Sequence, residues 1–422
     1  MKKIVSGILA FISLSVSVFA AEALEMKNEE PIITEGFFDL AMLKMDTKTN
    51  VIVIDDKAFK NPSAKRTAFT NAIASGDIKK SDISDTKAFI ILSGTVDLSD
   101  GKVSDKDHSY FDKFDPVTHK KVNKDIVYDI GSNKTIIGVN NAKVAFGGLR
   151  IKATAENSAK NVIIRNILFW DAHGSTDYDT SIPEYSSKKA GADQLVIEGI
   201  EHKETKDHYD YVPENIWIDH CTFTDGICVD LTRNYNHDGA LDAKCVHNMT
   251  VSYCEFTNHD KVTLTGSSDK FVTPEERQIT FHHNYYHGAV QRMPRSRGCQ
   301  IHIYNNVYEQ IGVDGNSGYS LGPGIASLFI VENNSFGSHK GKILRYADSS
   351  QPEDSTFSKL YVSGNVPELN ASTAEQFERH KVEDKPFAIY YDYTALPATE
   401  VKAIVPTLAG SGKTVVIDGK TY

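Results

Sequence analysis

Six segments between residues 216 and 365 share one pattern of apolar and polar positions. Two apolar residues flank a variable one, two positions follow, and then come Cys or Asn, a variable residue and an aromatic. Ile216-Trp217-Ile218 leads to Cys221 and Phe223, and Met249-Thr250-Val251 leads to Cys254 and Phe256. Ile279-Thr280-Phe281 leads to Asn284 and Tyr286, and Ile301-His302-Ile303 leads to Asn306 and Tyr308. Phe329-Ile330-Val331 leads to Asn334 and Phe336, and Leu360-Tyr361-Val362 leads to Asn365 without the aromatic. Val162-Ile163-Ile164 before Phe169 is an earlier copy, with Ile167 in the polar slot. The Cys/Asn positions step by 33, 30, 22, 28 and 31 residues. Short alternating strands at such a period predict a solenoid, because one copy cannot bury its own apolar face and copies must stack. Asn at a fixed place suits a bend, since it tolerates left-handed backbone, and stacked Asn side chains can bond along the stack. A β-sandwich would give turns every ~8–12 residues and no fixed Asn slot. A parallel β-helix fits best.

The flanks are less regular. Ser63 to Ala74 predicts a short amphipathic helix capping the solenoid end, with a buried strand at Ala88–Leu92 and another at Lys134–Val139. The polar stretch 100–127 between them predicts a long loop. Pro397 to Leu408 predicts a C-terminal helix that Pro406 should end early. No linker divides the chain, so residues 21–422 are expected to form one domain, with its core over about 88–370.

Lys2 and Lys3 precede an apolar run from Ile4 to Phe19, closed by Val18-Phe19-Ala20. This predicts a secretory signal cut near Ala20, or alternatively after Ala23, and an extracellular or periplasmic protein. Removing the two lysines would take the formal charge from −10 to −12. No other segment approaches the ~18 apolar residues that span a bilayer. The acidic balance argues against nucleic acid as a partner. Five cysteines lie between 221 and 299, with no CxxC pair. One or two disulfides plus buried thiols are expected, with one thiol at least left over.

Three elements could carry chemistry. Asp193, Asp238 and Asp242 form a first group, and a spacing of four on extended chain puts Asp238 and Asp242 on one strand face. Crowded carboxylates would favour a hard cation such as calcium, but on spacing alone solvated acids beside turns explain them better. Lys261, before a strand, is alone a surface lysine. Arg292, Arg295 and Arg297 are three arginines in six residues, with no acid between Glu276 and Glu309. They suit an anionic ligand, since arginine meets carboxylates with paired hydrogen bonds. A surface patch paired with surplus acids explains them about as well. Their order raises all three, at roughly one element per repeat. On a parallel solenoid they would line one groove, a shape that suits a linear polymer.

From Gly131 to Tyr308 the chain resembles the pectate lyases, polysaccharide lyases built on a right-handed parallel β-helix. The strings that carry the resemblance are Ser132-Asn-Lys-Thr-Ile-Ile-Gly138, Ile216-Trp-Ile-Asp-His-Cys-Thr-Phe-Thr-Asp225, His237-Asp-Gly-Ala-Leu-Asp-Ala-Lys244, His259-Asp-Lys-Val-Thr-Leu-Thr-Gly266, His282-His-Asn-Tyr-Tyr286 and Arg292-Met-Pro-Arg-Ser-Arg297. The resemblance implies roles. Asp193, Asp238 and Asp242 would hold calcium, Arg292 would be the Brønsted base, and Lys244, Lys261 and Arg297 would bind substrate. Asp219 and His220 belong to the family signature and read as structural. Some members carry a further acid where this chain has Gly191, which implies a three-carboxylate cage.

The implied reaction is β-elimination on de-esterified α-1,4-polygalacturonate, giving unsaturated oligogalacturonides. The proton α to the uronate carboxylate leaves, and cations on that carboxylate would stabilise the developing charge. Arginine is an unusual base, its pKa lying above ~12. Arg295, Arg297, Lys261 and calcium would have to supply a cationic setting. The alternatives are a pectin lyase acting on methyl-esterified polymer, and a non-catalytic polysaccharide-binding β-helix. The carboxylates, with only Trp170 and Trp217 as tryptophans, favour the de-esterified substrate. A monomer is expected, with no membrane partner.

Overall fold

The structure, a computed structural model, describes residues 49–422 except 175–176, 180, 186–190, 206–207, 228–230, 232–236, 271–272, 275–276, 347–356, 368, 370–377, 418–419 and 422, plus the backbone of 13–15 and 25–27. Most of the expected signal segment lies outside the described residues.

The chain is a right-handed parallel β-helix. Each coil takes a strand of five or six residues, turns sharply, runs a short strand, and returns through a loop into a third strand. One coil uses Glu214–Asp219, Thr222–Thr224 and Leu241–Ala243, and the next uses His247–Ser252, Glu255–Thr257 and Leu264–Thr265. Registers are parallel and even: Ile216 pairs with Met249, Met249 with Ile279, Ile279 with Ile301 and Ile301 with Phe329. The stack starts at Asn50–Ile54, paired with Ala88–Asp97. Alternating residues point inward, so Ile216, Ile218, Met249, Val251, Ile279 and Phe281 lie in one core.

The repeat positions have distinct jobs. The aromatic slot forms an internal stack of Phe169, Phe223, Phe256, Tyr286, Tyr308 and Phe336, with ring centroids 4.6–5.0 Å apart. The Asn slot forms a ladder. Asn306 Nδ2 donates to Asn334 Oδ1 at 3.0 Å, and Asn306 Oδ1 accepts from the main-chain N and Nδ2 of Asn284, both at 2.9 Å. Asn334 and Asn365 repeat the arrangement. The bend itself falls one residue earlier than the Asn slot. Asn166, His220, Tyr253, His283, Asn305 and Asn333 carry the left-handed angles. The slot Asn therefore ties coils together and does not make the turn.

Helix α1, Pro62–Ser75, is the predicted cap. Asn61 Oδ1 accepts from Ala64 N at 2.9 Å, and Gly76 closes the other end in left-handed conformation. Residues 100–126 form the expected loop. Helix α2, Ala398–Leu408, runs through Pro406 to Leu408. Pro406 falls in the last turn, so its missing N–H removes one bond without ending the helix. The expected disulfides are absent among the described residues: Cys221, Cys245, Cys254 and Cys299 are free and buried. Cys221 and Cys254 fill two Asn slots, where each Sγ faces a carbonyl, Ile164 O and Ile218 O. Cys228 lies outside the described residues. Among the described residues no helix is long and apolar enough to cross a membrane.

Candidate active site

The candidate residues lie on and beside the sheet carrying Gly148–Lys152, Leu195–Glu198, Leu241–Ala243, Leu264–Thr265, Arg295–Ser296 and Tyr319–Pro323. Inward residues such as Leu195, Leu241 and Ala243 pack the core. The opposite face therefore presents Arg150, Asp242 and Arg295, which lie in register. Just before these strands, bridges join Ala192 to His237, Gly239 to Lys261, Lys261 to Gln291 and Gln291 to Tyr319. This register brings Asp193, Asp238, Lys261 and Arg292 onto neighbouring coils.

Asp193 and Asp242 converge above Gly239. A methyl on Gly239 would lie 2.4 Å from Asp242 Oδ1 and 3.0 Å from Asp193 Oδ1. Gly239 N donates to Asp193 Oδ1 at 2.7 Å, and Leu264 N donates to Asp242 Oδ1 at 2.9 Å. Burial, then the negative charge of Asp238, pushes the Asp193 carboxyl up to about 6. Burial, then the charges of Asp193 and Asp238, pushes Asp242 well above the usual carboxylate range. Two desolvated, mutually repelling carboxylates with only one backbone N–H each fit an oxygen-seeking cation. Asp238 is more exposed, and its Oδ1 accepts from Lys261 Nζ.

Lys244, Lys261 and Arg297 each meet a carboxylate of the chain. Lys244 Nζ lies 3.5 Å from Glu198 and 4.0 Å from Asp193. Arg297 Nε lies 2.6 Å from Asp269 Oδ1. Arg292 and Arg295 differ from these, since the Nε of each is buried without a hydrogen-bond partner among the described residues. The Arg292 backbone is left-handed at φ 67°, and its N–H donates to Tyr319 O at 3.1 Å. Burial, then the charges of Arg297 and Arg292, lowers the pKa of Arg295.

Sequence reasoning missed what lies beneath. His259 is fully buried; its Nδ1 faces Asp225 Oδ1, and its Nε2 faces the carbonyls of Asp238 at 3.0 Å and Lys261 at 3.2 Å. These partners are all acceptors, so the ring carries both protons and clamps the two backbones that present Asp238 and Lys261. Asp171 accepts from His108 and His237, each at 2.8 Å. His108, Asp171 and His173 cluster, as do His202, His208 and Asp210. In each set the two rings are stacked, at 3.9 Å and 11° and at 4.4 Å and 20°. Near-parallel rings point their in-plane lone pairs side by side, so neither pair can aim both at one metal ion. Asp219 and His220 lie on a different sheet, bonded to each other at 2.7 Å, with Arg165 3.0 Å from Asp219. Burial at that ion pair fits a structural role.

A family described as pectate lyase matches residues 63–414. The chain belongs to the pectate lyase family. Among curated relatives, Pectate lyase E of Dickeya chrysanthemi is 32% identical over 80% of this chain and 83% of its own. Pectate trisaccharide-lyase of Thermotoga maritima is 42% identical, and the match spans 44% of this chain but only 43% of that relative's length. A solved pectate lyase bound to a hexasaccharide superposes with a TM-score of 0.57 at 26% identity, over 86% of this chain and 92% of that one.

Proposed function

We propose that the protein is a secreted, monomeric, calcium-dependent pectate lyase that cleaves de-esterified polygalacturonate by β-elimination. One observation carries the reading: Asp193 and Asp242 converge on Gly239, and register brings Lys261 and Arg292 onto adjoining coils of the same groove. Names of relatives that act on pectate, and a relative holding a hexasaccharide, support the polymer.

Asp193, Asp242 and Asp238 would hold the calcium ion. Bound calcium would supply positive charge to a uronate carboxylate and so acidify the adjacent C–H. Lys261 and Arg297 would bind that carboxylate from the protein side, and Lys244 a neighbouring one. Their charge opposes the build-up of negative charge as the proton leaves. Arg292 is the base. Its Nε, like that of Arg295, is buried without a hydrogen-bond partner among the described residues, and its backbone is held to the next coil by Tyr319 O. The electron pair of the broken C–H bond forms the double bond, and the glycosidic oxygen departs. A protein of net charge −10 can hold a polyanion because its cations are concentrated in the groove.

Incubation with polygalacturonate tests the reading. Unsaturated product absorbing in the ultraviolet should appear with calcium and vanish with chelator. Binding without product would point to a non-catalytic β-helix, and preference for highly esterified polymer with chelator present would point to a pectin lyase.

A further inference from the structure

Arg297 is anchored at its backbone. Its N–H donates to Thr265 O at 2.9 Å, and its side chain is 17% exposed. The Gly266–Lys270 loop is built against it. Gly266 holds a left-handed φ of 76°, and a methyl there would lie 2.0 Å from Arg297 O. Only glycine permits that approach. The next residue, Ser267, is tied by its hydroxyl to Tyr209 OH at 2.5 Å. Held at these two points, the loop delivers Asp269 Oδ1 to Arg297 Nε at 2.6 Å, with the aspartate half exposed.

We infer that Asp269 is an affinity-determining residue: its carboxylate occupies Arg297 in the free protein and competes with the substrate carboxylate for it. The inference rests on the proposed lyase reading, in which Arg297 binds a uronate. Asp269 and a uronate offer the same chemistry to the same guanidinium, so one must leave when the other arrives. Arg297 stays in place through its backbone contacts. Substrate therefore gains from Arg297 only the difference between two ion pairs. An exposed pair contributes about 0.2–1 kcal/mol, which corresponds to a change in KM of up to about fivefold.

The test is steady-state kinetics on polygalacturonate with calcium, at low ionic strength, on Asp269→Asn and Asp269→Ser. Both should lower KM about two- to fivefold, with kcat within about twofold of wild type. In an Arg297→Gln background the same substitutions should leave KM unchanged. The gain should shrink at about 1 M salt, where screening weakens exposed pairs. Unchanged or raised KM in variants that melt like wild type overturns the inference. A large drop in melting temperature in both variants also overturns it, because Asp269 would then be a brace for the loop. A wild-type protein that neither binds nor cleaves the polymer is a separate failure, which removes the lyase reading and this inference with it.

Discussion

Gly239→Ala probes the candidate calcium site without touching a ligand. The backbone of Gly239 is outside the left-handed region, so alanine meets no left-handed strain there. The effect is one of space. The added methyl would lie 2.4 Å from Asp242 Oδ1 and 3.0 Å from Asp193 Oδ1. Relaxed C···O contacts fall at roughly 3.3–3.6 Å, so the Asp242 oxygen must retreat by about an ångström. Asp242 is a short, buried side chain, and its retreat breaks the bond from Leu264 N. A hydrogen bond to a charged group contributes about 1.5–3 kcal/mol, and forced overpacking costs about 1–3 kcal/mol of stability. If calcium binding depends on that carboxylate position, the same 1.5–3 kcal/mol weakens calcium about 10- to 150-fold. Calorimetric titration of calcium into the wild type and the variant reads this directly, with circular dichroism as the check on fold. Wild-type affinity in a folded Gly239→Ala protein would refute the assignment of Asp193 and Asp242 as a shared cation site.

Arg292→Ala should abolish release of unsaturated product while calcium and polymer binding persist; turnover near the wild-type rate would exclude Arg292 as the base. Asn306→Ala should destabilise by roughly 3–5 kcal/mol, because it removes two amide protons shared among Phe281 O, Tyr304 O and Asn334 Oδ1, and the oxygen that accepts from Asn284 N and Nδ2. Denaturant unfolding measures it, and a loss under about 1 kcal/mol would show that the ladder is ornamental. Burial, then the charges of His108 and His237, depresses His173 to about 3, against the opposing charges of Asp171 and Asp225. Above pH 6.5 folded and unfolded chains both keep it neutral. Between 6.5 and 3 only the unfolded chain binds its proton, so stability is lost as pH is lowered through that window, by up to about 1.4 kcal/mol per unit. His173→Phe, which preserves the stacking against His108 and Phe111, should flatten that slope relative to wild type; identical acid profiles would refute it.

Much of the fold was legible because a solenoid writes its geometry repeatedly. Inward Ile, Val and Phe at period two, an aromatic and a polar slot recur in each coil, and the ladder and the ring stack follow from them. A second Asn ladder runs beside the first. Asn133 just before one strand, and Asn161, Asn215 and Asn248 at the second residue of the next three, take left-handed angles and bond one another at 2.9–3.2 Å. The misplaced bend has a simple cause. Asn is favoured both for left-handed backbone and for side-chain ladders, and composition does not separate the two uses; His220, Tyr253 and His283 at the true bend carry no such signal. Pro406 sits in the last turn of its helix, where the interior proline penalty is reduced to one missing hydrogen bond.

The site was legible in the order of its residues and illegible in their pairing. Asp193, Asp238, Asp242, Lys261 and Arg292 fall one or two to a coil, so stacking alone brings them to one groove. Whether a lysine there is free or neutralised depends on partners from other coils and loops. Glu198, one coil before Lys244, and Asp269, 28 residues before Arg297, are unremarkable in sequence. The same holds below the surface, where His259 reaches Asp225 across 34 residues and fixes the carbonyls of Asp238 and Lys261. Residues that offer chemistry sit at repeat-defined positions and can be read from one dimension. Residues that set its strength, through a competing carboxylate or a buried clamp, become visible only when the coils are stacked. Affinity in such a groove is therefore tuned more freely by its loops than by the strands that display the cations.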